Sequence, residues 1–149
     1  MKNVLVTLLL TAFSFTAFAQ DRLEIYQDYD LGTEITVMTT VKINANMEDI
    51  YLAGLRNSWV KAVNLQKELG TIKDWKILAS DLPQSGEFNM ILMVMFESAA
   101  DLEPSKKKYT AFMKKWSEEA RKQSNQISAK YPEVRTLTGE YRMREIILK

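Results

Sequence analysis

Residues 33–43, "TEITVMTTVKI", alternate in polarity: Ile35, Val37, Thr39, Val41 and Ile43 share one side, and Glu34, Thr36, Met38, Thr40 and Lys42 the other. A period of two in β-branched residues predicts a strand. The period then lengthens. Ile50, Ala53, Leu55, Trp59, Ala62, Val63, Gln66 and Leu69 recur at spacings near three and four, which predicts one helix of about 22 residues, about 33 Å long. Asn46 is its expected N-cap, Glu48 and Asp49 place negative charge at the positive end of the helix dipole, and Gly70 sits where a helix leaves through a left-handed residue. "TIKDWKILAS", 71–80, reads as a second strand, and "DLPQSGE", 81–87, with Pro83 and Gly86, as a hairpin connection. "FNMILMVMFE", 88–97, is the third strand. A second helix starts near Glu103, with Pro104 in its first turn, carries the stripe Tyr109, Phe112, Met113, Trp116, Ala120 and Ile127, and stops before Pro132. After a turn at Gly139, "EYRMREIILK", 140–149, is the last strand. Residues 20–32 form an acidic N-terminal arm, with a short strand at Leu23–Tyr26 and its end at Gly32.

Strand, helix, strand, strand, helix, strand is the ferredoxin-like βαββαβ order: an α+β fold with an antiparallel sheet and both helices on one face. One strand is out of keeping with a sheet that is wet on one side. In 88–97 the first face is Phe88, Met90, Leu92, Val94 and Phe96, and the second still holds Ile91, Met93 and Met95 between Asn89 and Glu97. A strand apolar on both faces is buried on both, and leaving the second bare would expose an unusually large patch. A second copy of the sheet is the economical cover, which makes a homodimeric α+β barrel; the competing cover is the N-terminal arm folded across a monomer.

The first twenty residues differ from the rest. Lys2, an apolar run from Val4 to about Phe15, and Ala17-Phe18-Ala19 have the layout of a secretory signal peptide cleaved after Ala19. The apolar run is short for a transmembrane anchor and no basic stop-transfer cluster follows it, so no membrane-spanning segment is expected after cleavage. The chain then divides into signal peptide 1–19, arm 20–32 and a single domain 33–149, and the expected location is periplasmic or secreted. From Gln20 onward 19 basic residues balance 19 acidic ones, which gives no electrostatic case for a nucleic-acid partner. With no Cys, disulfides are unavailable, and core and subunit contacts must hold the fold.

The chain also has no His. That removes Ser-His-Asp catalysis, the usual zinc sites and a proximal haem histidine. The five glycines are isolated, so no phosphate-cradling loop exists. The acidic arm, with Asp21, Glu24, Asp28 and Asp30, lacks the spacing of a calcium loop. Neither metal nor cofactor is expected. Residues 104–130 hold eight basic and two acidic residues; the ordinary reading is the solvated side of an amphipathic helix, and the alternative is docking to an anionic surface. Met38, Met90, Met93, Met95 and Met143 cluster on strands, and methionine suits an adaptable apolar cavity as well as a dry interface. Trp59 and Trp116 belong to helix stripes and the core, whereas Trp75 could face either way. Arg142 and Arg144 share a strand face. Turned into a barrel they need an anionic ligand or a carboxylate; turned outward they are edge charges that oppose aggregation.

The signal peptide, the "VKI" strand, the helix bearing Trp59 and ending at Leu69-Gly70, "IKDW" at 72–75 and "YPEVRTLTGEYRMREI" at 131–146 together resemble a group of exported bacterial proteins. That group is similar in turn to the dimeric α+β barrel superfamily. The resemblance implies the fold rather than an activity. Haem-degrading monooxygenases, chlorite dismutases and dye-decolorising peroxidases of that superfamily rely on a His that this chain lacks. Its cofactor-free monooxygenases orient an aromatic substrate with Asn and Trp; this chain has Asn57, Asn64 and Asn89 beside its Trp residues, without a residue-by-residue match. The resulting expectation is an exported homodimer that binds a small apolar molecule in the barrel, at Met38, Thr40, Met93 and Met95, with Trp75 and Arg144 as further candidates. The alternatives are a cofactor-free oxygenase or isomerase and a structural interaction module.

Overall fold

A computed structural model describes residues 22–82 and 86–149. The segment read as a signal peptide, the first residues of the arm and Pro83 in the hairpin connection lie outside the described residues. The elements are β1 (Tyr29–Ile43), α1 (Glu48–Asn57), α2 (Trp59–Glu68), β2 (Asp74–Ala79), β3 (Met90–Phe96), α3 (Lys106–Lys115), α4 (Glu118–Ser128), α5 (Tyr131–Val134) and β4 (Arg135–Leu148), with a 3-10 turn at Ala99–Leu102. The four strands make one antiparallel sheet in the order β2-β3-β1-β4. This is the ferredoxin-like α+β fold.

Strand register fixes the faces, because directly opposed residues point to the same side. On the helix side, Val41 stands between Met90 and Leu137, Thr39 between Leu92 and Glu140, and Val37 between Val94 and Arg142. Trp75, Ile77 and Ala79 of β2 continue these rows. Val41, Ile43, Met90 and Leu92 form the core with Tyr51 and Leu55 of α1 and with Tyr131 and Val134 of α5. On the other side, Met38 stands between Met93 and Tyr141, and Thr36 between Met95 and Met143. The alternation assigns these sides correctly over 35–43 and 90–96, while β3 is shorter than the expected 88–97 and leaves Phe88, Asn89 and Glu97 outside the strand.

The elements depart from expectation at several places. The first helix breaks at Ser58, whose backbone leaves the helical region (φ −127, ψ −84). Its hydroxyl donates to Gly54 O (2.9 Å) and shares a 2.6 Å hydrogen bond with Tyr131 Oη, a back-bond of the kind that bends helices. The second helix also divides: Ser117 caps α4 by accepting from Ala120 N, as Ser105 caps α3 by accepting from Lys108 N. Asn46 is not an N-cap but a left-handed turn residue (φ +62), a conformation that asparagine tolerates well. Gly70 does take the left-handed exit (φ +65).

β1 starts at Tyr29, so Tyr29 to Gly32 belong to the strand, with Tyr29–Leu31 opposite Ile146–Leu148 and a register shift between Leu31 and Ile35. Leu23–Tyr26 is not a strand; Tyr26 is in a turn (φ +67) and only Ile25 makes an isolated bridge. β4 begins at Arg135 rather than 140, and Gly139 lies inside it at a bulge. The Tyr141 ring covers Gly139 so closely that a Cβ there would meet ring atoms at 2.8 Å, which accounts for glycine in mid-strand.

Asn89 shows how the central pair is terminated. Its side chain accepts from Ile43 N (2.8 Å) and donates to Ile43 O (3.1 Å), supplying the ladder bonds that β3 is too short to make. Asn89→Ala leaves both backbone groups of Ile43 without that partner and is expected to cost about 1–3 kcal/mol, read as a lower urea midpoint with an unchanged slope.

Candidate functional site

The six residues singled out from sequence do not come together. Met38, Thr40, Met93 and Met95 share the sheet face away from the helices, with Ile91 and Tyr141 beside them. Thr40 is 3% exposed, and its hydroxyl is committed to β4: it donates to Gly139 O (3.3 Å) and accepts from Thr138 Oγ1 (2.8 Å). Trp75 and Arg144 are on the opposite face. Arg144 stands across from Ile35 at the exposed β4 edge. Trp75 points under α2, where its Nε1 donates to Asn64 Oδ1 (2.8 Å) and its ring meets Trp59 edge-on at 5.5 Å.

That second contact positions a cavity. α2 is held over the β2 side of the sheet by the Trp59–Trp75–Asn64 chain, and the helix-side face of β4 is left uncovered. Between α2 and β4 is an open cavity of about 600 Å³, within the roughly 300–1,000 Å³ usual for small-molecule sites. Val37 and Val94 of the sheet line it together with Trp59 and Gln66 of α2, and Glu140 and Arg142 of β4 bring charge to it. Neither Glu140 nor Arg142 makes an ion pair with any described residue. A flat aromatic wall, an aliphatic surround, one cation and one carboxylate can hold a planar apolar molecule and fix an anionic oxygen on it.

Sequence reasoning placed Trp59 in the core and left Val37, Gln66 and Glu140 without a role. The signal available was the period-two series Glu140, Arg142, Arg144, a polar face at the same level as the apolar helix side of β1. Only the register that sets Arg142 opposite Val37 turns this series into part of a site.

A buried polar cluster lies at the other end of the helical layer. Tyr51 and Tyr131 meet edge-on at 5.1 Å, Tyr131 bonds Ser58, and the Arg135 guanidinium lies 5.3 Å from the Tyr131 ring centre. Burial pushes both phenols above their ordinary range, opposed for Tyr51 by the neighbouring Arg135 and for Tyr131 by the Ser58 bond and Arg135. These groups tie α1, α5 and β4 together. Among the described residues no three His, Cys, Asp or Glu converge to hold a metal ion, and no helix is long and apolar enough to cross a membrane.

No family model matches this sequence, and no curated protein matches it either. Solved structures do. HapK from Hahella chejuensis is 7% identical, with a TM-score of 0.45 over 74% of this chain and 91% of that one. A dimeric protein of unknown function and ferredoxin-like fold from Bacteroides fragilis is 13% identical, with a TM-score of 0.42 over 80% of this chain and 100% of that one. A dimeric ferredoxin-like protein of unknown function from Thermobifida fusca is 10% identical, with a TM-score of 0.38 over 76% and 91%.

The phenol cluster has a measurable consequence. A phenol whose folded pKa lies above its unfolded value keeps its proton in the fold after the unfolded chain has lost it, so stability declines as pH rises past about 10. Thermal melting should fall between pH 9 and pH 11, and Tyr131→Phe should flatten that fall while lowering stability at neutral pH by about 1 kcal/mol.

Proposed function

We propose that this chain is an exported, homodimeric small-molecule-binding protein whose two sheet faces have separate tasks. The observation that carries the ligand assignment is Arg142 in the helix-side cavity: a cation without an ion-pair partner among the described residues, in a site lined by Val37, Trp59 and Val94. The ligand class is a flat, largely apolar molecule with one anionic oxygen, such as an aromatic carboxylate or a phenolate. The oxygen sits at Arg142, the ring lies against Trp59, and Glu140 accepts from a hydroxyl on the ligand.

The face bearing Met38, Met93 and Met95 is the subunit interface in this reading. With Ile91, Leu78, Tyr141 and Met143 it forms a largely apolar surface, with Lys76 beside Met93 on its β2 side, on which Leu78, Tyr141 and Met143 are each about half exposed. Packing against the same face of a second copy removes it from water, closes the barrel and leaves the methionines to adjust to one another. Export rests on the segment before Gln20 and places the mature protein in the periplasm or outside the cell.

Native mass spectrometry of the protein purified from its own envelope fraction tests all three parts. The expected spectrum shows a chain beginning at Gln20, a mass of two chains, and an added mass of a few hundred daltons per chain on the order of a pocket-filling ligand. A single-chain mass at micromolar concentration overturns the dimer, and retention of residues 1–19 overturns cleavage after Ala19. Met38→Glu places a charge between Met93 and Tyr141 in the interface and is expected to convert the dimer to monomer. Arg142→Gln leaves the dimer intact and is expected to weaken ligand binding about tenfold to a hundredfold, the loss of one charge-assisted hydrogen bond. Unchanged affinity in Arg142→Gln places the ligand elsewhere.

A further inference from the structure

Charge is segregated along this chain. Residues 104–130 carry an excess of six positive charges, and the remainder of residues 20–149 carries the matching negative excess. α3 concentrates the positive part: its sequence, KKKYTAFMKK, has five lysines and no acid. Lys108 turns inward to Asp101 (3.1 Å). Lys106, Lys107, Lys114 and Lys115 are exposed and make no ion pair with any described residue. At about 3.6 residues per turn, Lys106, Lys107, Thr110, Ala111 and Lys114 share the side turned away from Phe112 and Trp116, with Lys115 next to them.

The fold does not call for these lysines. Lys106 and Lys107 occupy the first turn of α3, where the helix dipole disfavours positive charge, and the cap there is supplied by Ser105. None of the four exposed lysines lines the cavity under α2.

We propose that the lysine side of α3 adsorbs to an anionic phospholipid surface. The form of the patch favours an extended anion over a small one. Lys106 and Lys114 are about 12 Å apart along the axis at about 1.5 Å per residue, and they stand on a convex helix where a small anion would meet only one or two of them. The residue types favour lipid over an acidic protein. Lysine is a mobile, strongly hydrated point charge and is depleted from protein interfaces, which rely on aromatic and arginine anchors. Between these lysines the surface offers only Thr110 and Ala111.

The test is co-sedimentation of the mature protein with phosphatidylcholine vesicles in which a third of the lipid is phosphatidylglycerol, against vesicles of phosphatidylcholine alone. Binding is expected on the anionic vesicles only, at about 0.05 M salt, with release at about 0.5 M as charges are screened. The variant K106Q/K107Q/K114Q/K115Q is expected to lose binding at least about tenfold, and K106R/K107R/K114R/K115R to retain it, which separates loss of charge from loss of fold. Equal binding to both vesicle types, no binding to either, or full binding by the glutamine variant overturns the proposal. Soluble polyglutamate captured in preference to vesicles also overturns it, in favour of an acidic polypeptide.

Discussion

β3 is apolar on both faces, and the helices of this chain cover only one. Met90 and Leu92 disappear beneath α1 and α5, while Ile91, Met93 and Met95 point the other way beside Met38 of β1. β1 and β3 occupy the middle of the sheet, so this two-sided strand cannot be moved to an edge without breaking both of its ladders. The rest of the molecule is arranged around that constraint. A core grows on one face from the α1 side chains Tyr51 and Leu55, and an unsatisfied apolar surface remains on the other. The second surface is the one that the proposed dimer covers.

β4 resolves the same constraint differently at the sheet edge. It presents Tyr141 and Met143 with the methionine face and Glu140, Arg142 and Arg144 with the helix side, the reverse of the polarity expected if helices packed on it. Because α2 leans toward β2 through Trp59 and Trp75, those charges keep access to water instead of being buried. An open cavity between apolar wall and charged strand follows from that tilt. The charges and the bulge at Gly139 also make β4 a poor template for edge-to-edge pairing.

The two serine breaks have a common cause with different results. Ser58 and Ser117 each offer a hydroxyl to local backbone, and each interrupts an amphipathic stripe that would otherwise run on. At Ser58 the bend is fixed by Tyr131, which joins the first helical pair to α5 and to the start of β4. At Ser117 the new cap redirects the chain into α4, and the lysines of α3 stay on the outside of the helical layer.

The sequence by itself determined the strand order and the face assignment of Ile35 to Ile43 and Met90 to Phe96. It also determined the left-handed exit at Gly70, the absence of histidine and cysteine chemistry, and the segregation of positive charge near residues 104–130. These are local or compositional properties: a period of two, a missing side-chain type, a residue that tolerates positive φ. Tertiary structure alone decided that the first helix breaks at Ser58, since the break needs Tyr131 from a distant segment. It decided that Asn46 turns rather than caps and that β4 begins at Arg135. It separated Trp75 and Arg144 from Met38, Thr40, Met93 and Met95, because strand register, and not spacing along the chain, sets which side chains share a face. It also built the cavity, whose walls come from β1, α2, β3 and β4. A concave site of that kind is a relation between surfaces, and those surfaces are opposed only after the sheet has formed and α2 has docked on it.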